Sequence, residues 1–388
     1  MTWAGKTMEL EERIMERKRI LHIRDSGGLF GGESVILTLA KNIDRSLFHM
    51  KLLCMRRPDG RSEPFIAAAR ETGIDVDILD VRGRFDHRAI SNLRSYLKKN
   101  RIELIHTHDF KSDFYGLISA CSLDIRKIST AHGSTRDSLL KRLYLLFDEQ
   151  IVYRCFDRII AVSEDLRARL SSKLIPRDRI ELIQNGVDMD LLDRRDGGSD
   201  VDIELPAEPE TKVFAVIGRL YPDKGHALFL EAFAQLARDH KDVFCVIVGD
   251  GPERESINKR IKASGLGRKA FCCGAVRDIK RIYDSTDYLV IPSLTEGLPY
   301  VLLEAMGSGI PVLATSVGDI PLLIRDGHTG YLVPPGDAEA LAGRMKDLVA
   351  MPEHARLMAE RGRKLVEDHY LSAGMVKKTQ ALYLSLLS

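Results

Sequence analysis

The chain has 388 residues, of which 44% are hydrophobic and 29% charged, enough for two domains that each bury a core. Its 30 glycines and 14 prolines exclude a fibrous or low-complexity chain. Six cysteines without CxxC spacing predict free thiols and no metal site. The first residues lack the apolar stretch of a signal peptide, and no run has the roughly 18 apolar residues of a membrane span. We therefore expect a cytoplasmic protein, or one peripheral to the inner face of the membrane.

The net charge of +2 is unevenly distributed. Residues 1–195 carry 35 Lys and Arg against 29 Asp and Glu, so the N-terminal half is mildly basic. Such a half could face anionic lipid head groups, although a scattered solvated surface would give the same count. No zinc-finger spacing, RNP motif or concentrated basic block is present, so we expect no nucleic-acid partner.

Short β-branched runs alternate with amphipathic stretches from residue 19 onward, which predicts βαβ units and a parallel sheet. The predicted strands of the first half are Arg19–Ile23, His49–Met55, Asp75–Leu79, Leu104–His106, Arg158–Val162 and Ile180–Ile183. The predicted helices are Ser34–Asn42, Pro64–Thr72, Asp86–Asn100 and one capped by Ser163.

A second series follows a stretch rich in Gly, Pro and acidic residues that reads as a linker. Its predicted strands are Val213–Ile217, Phe244–Val248, Ala270–Cys272, Tyr288–Ile291, Pro311–Ala314 and Gly330–Val333. Its predicted helices are His226–Asp239, Arg254–Ser264, Ile279–Ser285 and Pro299–Met306. The expected fold class is α/β, with two Rossmann-like doubly wound domains facing each other across a cleft. Ligands of such sheets bind at the carboxyl ends of the strands.

Two carboxylates in the second half stand out. Glu296 lies in the loop after a buried strand, and Glu304 lies more than one turn into the next helix, with Pro299 expected at its first position. Carboxylates suit the vicinal hydroxyls of a hexose and a ribose, and the free N–H groups of the first turn suit an anion. From these residues alone, a glycosidase acid–nucleophile pair remains an alternative, and so do ordinary capping and surface residues.

Two basic residues narrow these alternatives. Arg219 and Lys224 lie in the loop after the first strand of this half, and that loop leads directly into a helix. A guanidinium and an ammonium beside a helix N-terminus are what a diphosphate requires. Gly249, at the end of the next strand, would allow the backbone to approach a ligand.

The segment 213–335 resembles the donor domain of the family-4 retaining GT-B glycosyltransferases. The resemblance rests on GRLYPDKG, VGDGPE, GAVRDI, EGLPYVLLEAMGSGIPVLAT and GYLVPPGD. It implies that Arg219 and Lys224 bind the donor diphosphate, that Glu304 holds the ribose and that Glu296 contacts the transferred sugar. Further donor contacts implied by the resemblance are Gly218, Gly249, Gly297, Leu298 and Pro299, with Val276 and Arg277 near the base.

In the first half, the glycines of residues 25–33 do not follow GxGxxG spacing, which argues against a dehydrogenase. In the resembled family a Gly-Gly pair faces the donor phosphates and precedes an acid, and Gly31, Gly32 and Glu33 match best. His132 matches the family histidine that approaches the sugar. His108 and Asp109 are expected to touch the acceptor or to shape their loop.

The implied domains are 1–195 for the acceptor, 196–210 as linker, 211–365 for the nucleotide sugar, and a helix 366–388 that returns to the first domain. The expected reaction moves a hexose-type sugar from a nucleoside-diphosphate sugar, the co-substrate, to a hydroxyl of a glycan, lipid-linked or small-molecule acceptor. The resemblance implies no essential metal and no other cofactor. A nucleotide-sugar hydrolase or epimerase, or a silent sugar-nucleotide binding protein, remain alternatives.

Overall fold

A computed structural model divides the chain into two units, Met1–Ile183 with Met375–Ser388, and Gln184–Gly374. The residues that the structure describes are 17–28, 31–56, 60–83, 85–132, 151–173, 175–189, 192, 210–276 and 279–388. The predicted linker therefore lies outside them, except for residue 210, as do residues 1–16.

The first unit contains a sheet of seven parallel strands in the order β3-β2-β1-β4-β5-β6-β7. The strands are β1 (Lys18–Arg24), β2 (Phe48–Arg56), β3 (Asp75–Asp80), β4 (Leu104–Thr107), β5 (Arg126–Ala131), β6 (Arg158–Ala161) and β7 (Ile180–Leu182). Strands β2 and β3 follow on one side of β1, and strands β4 to β7 follow on the other. The ends of β1 and β4 therefore lie side by side at the switch point of the sheet.

The described helices of this unit follow the strands. They are α1 (Gly31–Asn42), α2 (Glu63–Glu71), α3 (His87–Lys99), α4 (Phe110–Ala120) and α5 (Glu164–Ser171). Local capping fixes several of their starts: the side chains of Asp86, Asp109 and Ser163 each accept a hydrogen bond from a backbone N–H of the following turn. The predicted cap at Ser163 is confirmed.

The second unit has six parallel strands in the order β10-β9-β8-β11-β12-β13, the same doubly wound arrangement. The strands are β8 (Lys212–Ile217), β9 (Val243–Val248), β10 (Ala270–Gly274), β11 (Tyr288–Ile291), β12 (Val312–Thr315) and β13 (Tyr331–Val333). The helices are α6 (His226–Asp239), α7 (Arg254–Ala263), α8 (Ile279–Asp284), α9 (Tyr300–Gly307), α10 (Ile320–Leu323), α11 (Ala338–Ala350) and α12 (Pro352–His369).

Both faces of this second sheet are buried. Along β8, Phe214 and Val216 belong to one hydrophobic cluster, while Val213 and Ala215 belong to the cluster on the opposite face. A strand that is covered on both sides must be apolar at every position, which explains the continuous apolar runs in the sequence. The predicted α/β class and the two parallel sheets are confirmed.

The last helix, α13 (Ser372–Leu387), carries Tyr383, which is fully buried among residues of the first unit. Its hydroxyl lies 2.6 Å from Nδ1 of His106 and 3.1 Å from Nε2 of His22. All six cysteines are free thiols, as the sequence predicted. Within the described part of the chain, no helix combines the length and apolarity that crossing a bilayer requires.

Candidate active site

The loop after β8 is held against the end of β11 by one glycine. Residues Pro222–Lys224 form a 3₁₀ turn that ends at Gly225, whose φ is +70°. A Cβ at Gly225 would lie 1.9 Å from the carbonyl oxygen of Pro292, so only glycine fits there. The N–H of Leu294 donates to the carbonyl of Asp223 at 2.7 Å, which joins the same two loops. The fold thus places Lys224 next to the segment that carries Glu296.

Lys224 and Glu296 form a mostly buried ion pair. Nζ of Lys224 lies 2.6 Å from Oε1 of Glu296, and their side chains are 18% and 10% exposed. The hydroxyl of Ser293 donates to the same carboxylate oxygen at 2.7 Å. The structure therefore brings together two of the residues that sequence analysis selected, and it adds Ser293, which was in the motif but was not selected.

Arg219 is positioned by contacts between the loops after β8 and β9. A Cβ at Gly249 would lie 1.8 Å from the carbonyl oxygen of Gly218, so these two glycines allow the loops to touch. The N–H of Leu220 donates to the carbonyl of Asp250 at 3.0 Å. The guanidinium carbon of Arg219 lies 5.1 Å from the centre of the Tyr221 ring, a cation–π contact.

The start of α9 differs by one residue from the prediction. Pro299 is the N-cap, with an extended ψ of 130°, and the helix begins at Tyr300, so the expectation of Pro299 as first helical residue is wrong. The first N–H groups of the helix therefore belong to Tyr300 and Val301, and they precede the first intrahelical donor, Leu302.

The residues that precede α9 are held by backbone contacts. The N–H of Asp319 donates to the carbonyl of Gly297 at 3.0 Å, and Gly318 packs directly against the carbonyl of Glu296. The Leu298 side chain is 4% exposed and belongs to the hydrophobic core, so only its backbone is available to a ligand. Val276 also packs against that core, and Arg277 lies outside the described residues.

Glu304 has a different partner from Glu296. Oε2 of Glu304 accepts a hydrogen bond from the Tyr283 hydroxyl at 2.8 Å. Burial raises the pKa of Glu304 to about 7, and the hydrogen bond from Tyr283 opposes this with a smaller effect. Sequence analysis missed Tyr283, because nothing in the helix around it distinguishes this tyrosine from a core residue.

The first unit places its glycine pair at the start of α1. Gly31 and Gly32 are the first two residues of the helix, and Glu33 follows in the first turn. Glu33 is fully buried, and Nε of Arg24 lies 3.0 Å from its Oε1. Arg24 also donates to the carbonyl oxygen of His108. The acid after the glycine pair is thus paired with an arginine that sequence analysis did not select.

His108 and His132 belong to one hydrogen-bonded row. Nδ1 of His108 lies 3.2 Å from Nε2 of His132. Burial, with a smaller contribution from Arg24, lowers the pKa of His132 to about 3, so the ring is neutral near pH 7. Asp109 caps α4 through Ser112, so of its two expected roles the structure supports the shaping of the loop. Within the described ranges, the one cluster with the spacing of a metal site is His22, His106 and His108.

Two doubly wound units, with a lysine–glutamate pair at the strand ends of the second, are typical of the GT-B class of nucleotide-sugar-dependent glycosyltransferases. A protein-family model described as Glycosyl transferases group 1 matches residues 201–365 of the sequence. A second family model, described as Glycosyltransferase Family 4, matches residues 31–191. The chain belongs to this family. It is a retaining glycosyltransferase that uses a nucleotide sugar.

Known relatives match over nearly the whole chain. The UDP-Gal:alpha-D-GlcNAc-diphosphoundecaprenol alpha-1,3-galactosyltransferase of Escherichia coli is 24% identical over an alignment of 393 positions. The alignment covers 95% of this chain and 97% of that protein. The phosphatidyl-myo-inositol mannosyltransferase of Mycobacterium leprae is 28% identical over 329 residues, with 82% and 83% covered.

Solved structures share the fold. HepE of Anabaena, in complex with UDP and glucose, superposes with a TM-score of 0.80 at 18% identity and covers 95% of this chain and 100% of that one. Sucrose-phosphate synthase of Thermosynechococcus elongatus gives 0.79 at 21% identity, with 96% and 99% covered. These likenesses confirm the predicted GT-B fold.

Proposed function

We propose that the enzyme transfers the hexose of a UDP-hexose donor to a hydroxyl of a lipid-linked glycan acceptor and releases UDP, with its donor site in the second unit. The observation that carries the proposal is the mostly buried contact between Lys224 and Glu296 at the carboxyl end of β11. A mostly buried ammonium beside a helix N-terminus suits a diphosphate, and a neighbouring carboxylate suits sugar hydroxyls. The choice of uridine is supported by the relatives that use or bind UDP.

In this proposal the positive groups act on the leaving diphosphate. Its negative charge increases as the bond to the sugar breaks, so Arg219, Lys224 and the N-terminal end of the α9 dipole would bind the transition state more strongly than the ground state. The backbones of Gly218 and Gly249 would lie beside the phosphates. Each lost contact is expected to reduce the rate by roughly 10²–10³-fold.

The two glutamates would hold the two ends of the donor. Glu304, beside Tyr283, would accept hydrogen bonds from the ribose hydroxyls, with Val276 and Arg277 near the base. Glu296 would contact the transferred sugar, whose pocket would be lined by the backbone of Gly297, Leu298 and Pro299. No metal ion or other cofactor is required, because lysine and arginine neutralise the diphosphate.

The first unit would bind the acceptor, and three of its residues are further candidates for donor contacts. Gly31 and Gly32 would face the donor phosphates, because the N-terminus of α1 offers free N–H groups. His132 would contact the transferred sugar as a neutral ring. We propose residues 1–195 as the acceptor domain and 211–365 as the donor domain, with 366–388 returning to the former.

A lipid-linked acceptor is supported by the E. coli relative, whose name includes GlcNAc-diphosphoundecaprenol, and by the basic N-terminal half. Anionic lipids would attract such a half, so the enzyme would work at the inner face of a membrane in the synthesis of a cell-surface glycan. Flotation with vesicles of anionic and of neutral lipid tests this. Failure to bind anionic vesicles at low salt would contradict it.

The donor is tested by a thermal-shift screen of UDP-, GDP- and ADP-sugars, because a bound ligand raises the melting temperature. The UDP-sugars that stabilise the protein are then incubated with and without acceptor, in buffer with and without EDTA. Transfer with retained anomeric configuration, unaffected by EDTA, is expected. Hydrolysis at the same rate without acceptor, or epimerised sugar, would favour a hydrolase or epimerase, and binding without turnover would favour a silent binding protein.

A further inference from the structure

Six side chains of the first unit form one continuous row of hydrogen bonds. Oγ1 of Thr130 lies 2.6 Å from Nε2 of His106, and Nδ1 of His106 lies 2.6 Å from the Tyr383 hydroxyl. That hydroxyl lies 3.1 Å from Nε2 of His22, whose Nδ1 lies 2.9 Å from Nε2 of His108. The row continues from Nδ1 of His108 to Nε2 of His132 at 3.2 Å.

Each imidazole in the row carries one proton near neutral pH. His22, His106 and His108 are at most 1% exposed. Burial lowers the pKa of His22 and of His132 to about 3 and lowers those of His106 and His108 well below the ordinary value. A neutral imidazole has one N–H donor and one bare nitrogen acceptor.

The protons of the row therefore have only two possible arrangements. If the Tyr383 hydroxyl donates to His22, then His22 must donate from Nδ1 to His108, and His108 from Nδ1 to His132. The same choice makes His106 donate from Nδ1 to Tyr383. In the reverse arrangement every ring is protonated on Nε2. The tautomers of the four rings are thus linked, because each contact needs one proton between its two atoms.

Thr130 distinguishes the two arrangements. Its side chain is 4% exposed, and among the described residues its hydroxyl has a single hydrogen-bond partner, His106. When all rings carry Nδ1–H, the Thr130 hydroxyl donates to Nε2 of His106. In the reverse arrangement that nitrogen donates, and the buried hydroxyl proton has no acceptor, which is unfavourable. The Nδ1–H arrangement is the stable one.

We infer that the rest of the row holds His132 in its Nδ1–H tautomer. The positioning residues are Thr130, Tyr383 and the three inner histidines, His22, His106 and His108. His132 then presents an N–H donor to the ligand, because its Nε2 accepts from His108 and its Nδ1 makes no hydrogen bond within the described part of the chain. The inference rests on the proposed function, in which His132 contacts the transferred sugar. It makes His132 a hydrogen-bond donor to that sugar and not a base.

The row also gives the three inner histidines a role that does not depend on a metal. The ligand atoms of His22, His106 and His108 lie within 4.8 Å of one another, which is the spacing of a metal site. Both nitrogens of each ring already have a hydrogen-bond partner, so an ion would have to break that row.

The test is long-range ¹H–¹⁵N correlation spectroscopy of the full chain with ¹⁵N-labelled histidine, after treatment with EDTA. We expect the signals of all four rings to be those of the Nδ1–H tautomer. Nε2–H signals at His132, or signals of a tautomer mixture, would overturn the inference. So would a spectrum in which added Zn²⁺ shifts the three inner rings together.

Variants then test whether a change at one end of the row alters the tautomer of His132 at the other end. Thr130→Val removes the selecting hydroxyl and is expected to add Nε2–H population at His132, while Thr130→Ser keeps the wild-type spectrum. Tyr383→Phe interrupts the row and should also change the His132 signal. Tyr288→Phe is its control, since the buried Tyr288 hydroxyl donates to the carbonyl of Leu348 in the other unit. An unchanged His132 signal in both Thr130→Val and Tyr383→Phe would overturn the inference.

The spectra and the transferase assay can fail separately. Wild-type spectra with Nδ1–H on all four rings, in a protein that turns over no nucleotide sugar, would contradict the proposed function and support the tautomer assignment. Active enzyme with Nε2–H at His132 would contradict the inference alone.

Discussion

Nζ of Lys224 lies 2.6 Å from Oε1 of Glu296, although 72 positions separate the two residues in the chain. The contact depends on Gly225, which lets the loop after β8 touch the carbonyl of Pro292. An ammonium and a carboxylate are therefore fixed in place before any ligand arrives. Preorganised charges of this kind need little rearrangement when charge develops in a reaction.

Lys224→Ala is expected to reduce transfer by roughly 10²–10³-fold, because in the proposed function the leaving diphosphate would lose an ammonium that stabilises its charge. The measurement is the initial rate with UDP-sugar and acceptor. Lys259→Ala is the matched control, since Lys259 forms an ion pair with Glu255 on the exposed face of α7, with side chains 75% and 81% exposed. Full activity of Lys224→Ala, with the fold intact by circular dichroism, would refute the assignment.

Glu296→Gln keeps the size of the side chain and removes its charge. We expect transfer to fall by a similar factor of about 10², and the melting temperature to fall as well, because the mostly buried ammonium of Lys224 loses its charged partner. Glu255→Gln is the control on the exposed surface. Wild-type turnover in Glu296→Gln would show that this carboxylate does not contact the sugar.

Gly225→Ala tests the loop contact on which the site depends. The added Cβ would lie 1.9 Å from the carbonyl oxygen of Pro292, at a residue with φ of +70°. Gly265→Ala is the matched control, because Gly265 has the same φ of +70° and no described atom within 4 Å of the added Cβ. Both variants should lose about 1–2 kcal/mol through φ alone. Gly225→Ala should lose more stability than Gly265→Ala and should also lose nucleotide binding. Equal free energies of unfolding for the two variants would contradict the role given to Gly225.

Glu304 gives the second unit an unusual pH dependence. Its pKa of about 7 in the fold exceeds its ordinary value of 4.5, so the folded chain holds a proton that the unfolded chain releases. Stability from this group is therefore lost as pH rises from 4.5 to 7. At pH 8, Glu304→Gln should have a higher melting temperature than the wild type, by about 2–4 °C for each kcal/mol of stability gained. At pH 4.5 the two proteins should melt at nearly the same temperature. A constant difference at both pH values would contradict the raised pKa.

The buried histidine row predicts the opposite trend for the first unit. Its rings have pKa values far below 6.5 in the fold, so the unfolded chain binds more protons as pH falls below 6.5. The free energy of unfolding should fall by up to about 1.4 kcal/mol per pH unit for each ring. Urea titrations between pH 6.5 and 5 measure this slope, which His22→Gln should reduce and the exposed His369→Gln should not. The same slope in His22→Gln and the wild type would contradict the account.

The sequence predicted most elements because their apolar patterns are regular. Helix α6 has the predicted bounds, His226–Asp239, since one face of it is apolar at helical spacing. Helix α4 was not predicted, because its buried face consists of small or polar residues such as Ser112, Asp113 and Gly116. Position 116 favours glycine because an added Cβ would lie 2.9 Å from Cγ2 of Thr107, a contact that no local pattern reveals.

The site was predictable to the same degree. Motif spacing selected Lys224 and Glu296, which do meet. Tyr283 and Tyr383 were missed because each looks like a core residue on an amphipathic helix, and their hydroxyl partners come from distant positions, Glu304 and His106. An unexplained tyrosine at a buried helical position was the available signal, since a buried hydroxyl needs a partner.

The most direct test is a crystal structure of the enzyme soaked with UDP. The account predicts that diphosphate oxygens lie within about 3.2 Å of Nζ of Lys224 and of the Arg219 guanidinium, with the ribose hydroxyls at Glu304. Electron density for UDP elsewhere on the chain, with all three of these residues free of the nucleotide, would contradict it.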